Sequence, residues 1–221
     1  MIVPAMTVEE IQKEVCEDWK NVINKLHEWE RDFKKAVLRS KRFPLRRTYE
    51  YHTPVKKNLF IMSMMATKRS RWKNPLANVF GVYSRRDGVY LISISTDDKK
   101  INIYPPHFFK RYRERIVKDE LISNPELIRQ YCRNYLGFSR QFMTKESESA
   151  YQSFEREHIN EKISFVAATF EGFCFGEKQG DVSIFKTIVS EEMLFEDQKL
   201  IFRELKDELR QAYIDELGIV V

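Results

Sequence analysis

His107, Arg111, Arg113 and Arg115 lie in the segment INIYPPHFFKRYRERI with the spacing His-x3-Arg-x-Arg-x-Arg. Cleaving a ribose phosphodiester without a metal takes a base for the 2′-OH, cations for the pentacoordinate phosphorane and an acid for the leaving oxygen. An imidazole can serve as base or acid near neutral pH. Arg111 comes one helical turn after His107, and its guanidinium can fork onto a phosphate as an ammonium cannot. Lys110 and Arg115 flank it, and Glu114 is the nearest carboxylate. A histidine at a helix start also sits where backbone N–H groups favour an anion. A structural role fits the same residues: Arg111 and Arg115 can form salt bridges to Glu114 or Asp119, and the histidine can simply cap a helix.

A second set of residues suits polyanion binding. From Lys34 to Lys73 there are 13 Lys/Arg against the single acid Glu50, a local charge of +12 within a chain of net charge +5. Within it, Arg46, Arg47, Lys56, Lys57 and Arg71 are candidate phosphate contacts, and Trp72, flanked by Arg71 and Lys73, can stack on a base. From Glu191 to Glu216 the balance reverses, with nine acids and four bases. Such asymmetry suits a polyanion partner, docking of the acidic tail helix on the basic surface, or a solvated basic face. His52 lies in the basic segment beside Tyr51, whereas His27 and His158 fall in helical sequence. There is no glycine-rich phosphate loop, no metal-ligand spacing of His, Cys and Asp, and no serine in a nucleophile elbow, so neither a metal nor a cofactor is expected.

These residues need elements to hold them. Pro105-Pro106 fixes a helix start, and at about 100° per residue Phe108, Phe109, Tyr112 and Ile116 form an apolar face opposite His107, Lys110, Arg111, Glu114 and Lys118. Thr7 with Glu10 reads as a capping box opening a long helix to Arg39, with apolar positions from Val8 to Val37. Residues 45–57 are basic and extended, and Leu59 to Thr67 is a strand. Val79–Ser84 and Val89–Ser95 form a hairpin around Arg85-Arg86-Asp87-Gly88, where Asp-Gly is a strong turn signal, and a further turn leads into Lys100–Tyr104. Asn124-Pro125 starts helical sequence through about Arg156; strand-like segments come next at Lys162–Glu171, Gly172–Gly176 and Val182–Val189, and Ser190 caps a C-terminal helix. The order predicts an α+β chain, a mainly antiparallel sheet packed against helices. A boundary near residue 48 would separate an N-terminal helical arm, 1–48, from an α+β body, 49–221, unless 1–221 is a single domain.

With 221 residues, 43% hydrophobic and 13% aromatic, the chain can bury a sizeable core. No apolar run approaches the roughly 18 residues of a membrane span, and the N-terminus carries no secretion signal. Cys16, Cys132 and Cys174 are odd in number and far apart, which fits reduced thiols and a cytoplasmic protein.

HFFKRYRERI, together with the later DVSIFKTIVSEEML, resembles a pattern of the barnase–EndoU–colicin–RelE superfamily of bacterial ribonuclease toxins and mobile-element domains. The resemblance implies an antiparallel sheet on helices, with His107 and Arg111 facing a sheet-borne Lys186, Thr187 or Ser190. It implies a metal-independent ribonuclease in which His107 is the base, Arg111 and Arg115 bind phosphate, and Lys186 or Thr187 supports them. The long stretch between the two motifs and the N-terminal helix depart from the pattern. Two further readings stand beside it. One is a non-catalytic nucleic-acid-binding or mobile-element accessory protein using Lys34–Lys73, with RNA favoured over DNA; the other is an interaction protein, a homodimer joined by the tryptophan-bearing face of the first helix.

Overall fold

The computed structural model describes residues 6–94, 100–142 and 163–217. Its class is α+β with mainly antiparallel pairing, a long N-terminal helix and a C-terminal helix. The chain divides into two compact units, Met1–Ile103 with Ser123–Tyr135, and Tyr104–Ile122 with Leu136–Val221.

In the first unit, helix α1 (Val8–Arg39) opens on the expected capping box. Glu10 N–H donates to Thr7 Oγ1, the Glu10 carboxylate accepts from Thr7 N–H, and Ser40 ends the helix in an extended conformation. Its buried positions Ile11, Val15, Val22, Trp29, Phe33 and Val37 recur at helical spacing. Burying each such side chain is worth about 1.5–3 kcal/mol. They pack on β1 (Leu45–His52) and β2 (Leu59–Ala66), the first strands of a meander that continues through β3 (Leu76–Arg85), β4 (Gly88–Ile94) and β5 (Ile101–Tyr104). Trp29 stacks on Tyr49 with ring centroids 5.6 Å apart and meets the edge of Tyr51 at 6.2 Å.

The opposite face of β1 and β2 is covered by a helix that begins after Ser123. We label it α3 (Asn124–Asn134), since a shorter helix precedes it in the chain. Its Arg129 Nε meets Glu50 at 2.6 Å, and Glu50 alternates with Tyr49 along β1, so α1 and α3 lie on opposite sides. Strand β2, LFIMSMMA, is therefore buried on both faces, which explains its near-continuous apolar run. The β1–β2 turn is pinned to α1 by the buried Asp18, which accepts from Thr53 Oγ1 at 3.1 Å and Asn58 Nδ2 at 2.6 Å.

Trp29, on the tryptophan-bearing face of α1, is buried against Tyr49 and Tyr51 of its own sheet.

In the second unit, helix α2 (Pro106–Tyr112) passes into a π turn, Arg113–Val117, where Lys118 N–H donates to the Arg113 carbonyl at 2.8 Å. The strands are β6 (Ser139–Phe142), β7 (Ile163–Ala168), β8 (Phe173–Gln179) and β9 (Val182–Val189), in spatial order β9-β8-β7-β6. One face carries Phe185, against which Tyr104 stacks at 4.7 Å and Phe165 packs edge-on at 5.0 Å. The other receives α4 (Glu196–Leu217), whose Phe202 lies 5.5 Å from Phe173 and 5.8 Å from Phe175. Between the pairs Phe175↔Thr187 and Gly176↔Phe185 the register slips, and Lys186 is the extra residue of the bulge. A Cβ on Gly176 would sit 2.2 Å from the Ile184 carbonyl oxygen, so only glycine fits there.

The helix expected from Asn124 through Arg156 ends at Asn134. Tyr135 turns extended, Gly137 adopts φ 98°, and Ser139–Phe142 pairs with β7. The rest of that expectation, residues 143–162, lies outside the described residues. Ser190 precedes only a single 3-10 turn, Glu191–Met193, and the C-terminal helix begins at Glu196. Among the described residues, no helix is long and apolar enough to cross a membrane, and no group of three or more His, Cys, Asp or Glu is placed to hold a metal ion. The three cysteines are free thiols, and burial pushes those of Cys132 and Cys174 upward in pKa.

Candidate functional site

In the second unit, Pro106 is the first residue of α2 and His107 the second, exposed at the head of a helix only seven residues long. Arg111 Nη1 donates to Glu114 at 2.9 Å, a bond that holds the Glu114 carboxyl below its ordinary range. The π turn re-aims the side chains beyond Tyr112, and Arg115 Nη1 reaches β9, donating to Thr187 Oγ1 at 3.0 Å and to the Ile188 carbonyl at 3.1 Å. Lys186 Nζ lies 2.7 Å from the carboxylate of Glu177, a side chain only 5% exposed. Arg115 and Thr187 are thus brought together, while Lys186 serves the buried acid of the neighbouring strand.

Beyond the end of β9 lies a groove of about 470 Å³ lined in part by Arg115, Lys118, Glu171, Ser190, Glu191 and Lys206. Its four cations, Arg115, Lys118, Lys199 and Lys206, face three acids, Glu171, Glu191 and Glu192. Lys118 meets Glu192 at 3.7 Å, Lys206 is ion-paired with Glu191, and that pairing holds the Glu191 carboxyl down. Tyr112 donates its hydroxyl to Glu171 at 2.9 Å. Such a surface has little net pull on an anion.

The first unit is different. Three of the cations expected to meet phosphate are held by protein groups. Arg46 donates to Asn134 Oδ1 at 3.4 Å, and Arg47 lies 3.5 Å from Asp32. Lys56 sits between Glu14 at 2.7 Å and Glu17 at 2.8 Å. Those carboxylates push the Lys56 ammonium upward in pKa, and their own carboxyls are held low. For Glu14, burial works upward while the hydrogen bond and charge of Lys56 work downward, and the net direction is down. Lys57 is exposed in the β1–β2 turn with φ 56°.

The larger concentration of charge lies at the carboxyl end of α1. Lys34, Lys35, Arg39, Lys41 and Arg42 come from a stretch without an acid. Lys68, Arg69, Arg71 and Lys73 come from another, the 3-10 turn between β2 and β3. Arg69 Nη2 donates to the Ser40 carbonyl at 3.0 Å, and Lys34 Nζ sits 3.9 Å from the centroid of the Trp72 ring. These two contacts join the stretches into one basic pole of nine cations, of which all but Arg71 are exposed. Beside it runs an open groove of about 560 Å³, lined by His27, Glu30, Arg31, Lys34, Trp72 and Lys73 among others. Lys34, Arg69 and the exposed cations on the 40–42 turn were not singled out in the sequence. The acid-free runs were visible there, whereas their meeting is a tertiary fact.

No family model, no curated protein and no solved structure matches this chain.

Proposed function

We propose that this protein binds nucleic acid without cleaving it, holding the phosphate backbone on the basic pole formed by residues 34–42 and 68–73. The observation that carries this reading is the joining of two acid-free basic stretches through Arg69–Ser40 and Lys34–Trp72. Exposed lysines and arginines gathered without interleaved carboxylates exchange condensed counterions for protein charge, the main sequence-independent source of affinity for nucleic acid. The cations that a cleavage site would use are committed elsewhere: Arg111 to Glu114, Arg115 to Thr187 and Ile188, and Lys186 to Glu177. The ribonuclease activity implied by the resemblance of HFFKRYRERI to toxin sequences is therefore not the reading advanced.

The test is anisotropy titration of a labelled RNA against the wild-type protein and the triple variant Lys41→Glu/Arg42→Glu/Lys68→Glu. The exposed sites should tolerate reversal, so the melting temperature stays within a few degrees of wild type. The variant should lose at least ~30-fold in affinity at 100 mM salt, on the basis of three lost phosphate contacts and three added repulsions. An unchanged affinity would remove the basic pole as the binding surface.

A further inference from the structure

The Trp72 groove differs from the pole beside it, and the difference points to its occupant. It holds an acid, Glu30, whose carboxylate lies 3.5 Å from His27 Nδ1 and interrupts the unbroken positive charge of the pole. It also holds a half-buried indole with a cation over its face. Its volume of about 560 Å³ falls in the ~300–1,000 Å³ range of small-ligand sites. We infer that this groove is a stacking subsite for one unpaired nucleobase, so that the protein selects single strands over duplex; the inference rests on the nucleic-acid reading above.

The competition on the indole face decides the point. An exposed ammonium–indole contact contributes roughly two- to five-fold to an equilibrium constant, whereas a base stacked on an aromatic ring contributes roughly five- to 150-fold. A base therefore displaces the Lys34 ammonium. The flexible lysine stem then swings its charge the short distance to the phosphates flanking that base, joining Lys73 at the mouth of the groove. A paired base cannot enter, because its ring faces are already stacked within the duplex. Backbone contacts on the pole remain available to both forms, so the discrimination arises at Trp72.

The experiment compares a labelled 12-nucleotide single strand, a hairpin duplex and an abasic strand of equal length. Each is titrated against the wild-type protein, Trp72→Ala and Trp72→Phe, with the fold of each variant checked by circular dichroism. The expected result is single-strand binding at least ~10-fold tighter than duplex binding by the wild type. Trp72→Ala should lose most of that margin, while Trp72→Phe should keep most of it. The abasic strand should bind wild-type protein no better than duplex, a measurement that does not depend on any variant folding. Equal binding of single strand, duplex and abasic strand would overturn the stacking subsite and leave the basic pole standing. Failure of the wild type to bind any of the three would overturn both.

Discussion

Replacing Lys186 by alanine should cost about 3–4 kcal/mol of folding stability, because it removes the ammonium paired with a buried carboxylate of the second unit. Lys186 Nζ and Glu177 Oε1 are 2.7 Å apart, with side chains 19% and 5% exposed. At an effective dielectric near 20, two unit charges at that separation attract by about 6 kcal/mol, a gain largely cancelled by the desolvation of both groups. Breaking a buried pair by removing only its ammonium typically costs about 3–5 kcal/mol. The assay is urea denaturation monitored by circular dichroism, with the midpoint falling and the slope unchanged. The double variant Lys186→Met/Glu177→Leu should recover most of the loss, since an apolar pair of similar volume needs no compensation. A loss below about 0.5 kcal/mol in Lys186→Ala would show that Lys186 is not committed to Glu177, and would return it to the pool of residues available to a substrate.

The same geometry sets other outcomes. Glu14 and Glu17 are held below the ordinary carboxyl value of 4.5 by Lys56, so their contribution is present above that value and fades as pH falls through the lower folded-state values. Thermal melts between pH 7 and pH 3 should therefore drop more steeply for the wild type than for Lys56→Ala; parallel curves would contradict the pairing. Arg115→Ala should cost about 1–3 kcal/mol in urea denaturation, because the buried Thr187 hydroxyl and the Ile188 carbonyl lose a charged donor. His107 is exposed at the head of α2, and His107→Ala should leave stability within about 0.5 kcal/mol of wild type and RNA affinity unaltered. Purified wild type incubated with labelled RNA should leave it intact. Cleavage that disappears in His107→Ala would instead reinstate the ribonuclease reading.

The elements with local causes were legible in the sequence. Thr7 and Glu10 cap α1 as their spacing requires, Pro105-Pro106 starts α2, and Arg86-Asp87 closes a two-residue hairpin, with Arg85 paired to Gly88. Where the pattern misled, a competing signal was at work. Tyr135, Phe138 and Phe142 extend the apolar spacing of α3, yet Gly137 breaks the helix in a conformation an L side chain rarely adopts, and pairing with β7 claims the residues after it. Ser190 with its neighbouring acids resembles a helix cap, but only one 3-10 turn forms before α4. The site was less legible than the fold, for a physical reason. Charge in a sequence does not reveal its partner: Arg47 and Lys56 look as available as Lys41 until the acids of α1 are placed beside them. The bulge that sets Lys186, and the contact that brings Arg69 to Ser40, likewise depend on residues distant in the chain.

Whether the basic pole holds a phosphate backbone is decided by the salt dependence of RNA binding by the unmodified protein. If four to six of the nine pole cations meet phosphates of a single strand, the logarithm of the binding constant should fall with the logarithm of salt at a slope of about −3 to −4. Between 50 and 200 mM salt, that corresponds to a loss of roughly 50- to 300-fold. A slope near zero, or no binding at 50 mM, would show that the pole does not hold the backbone.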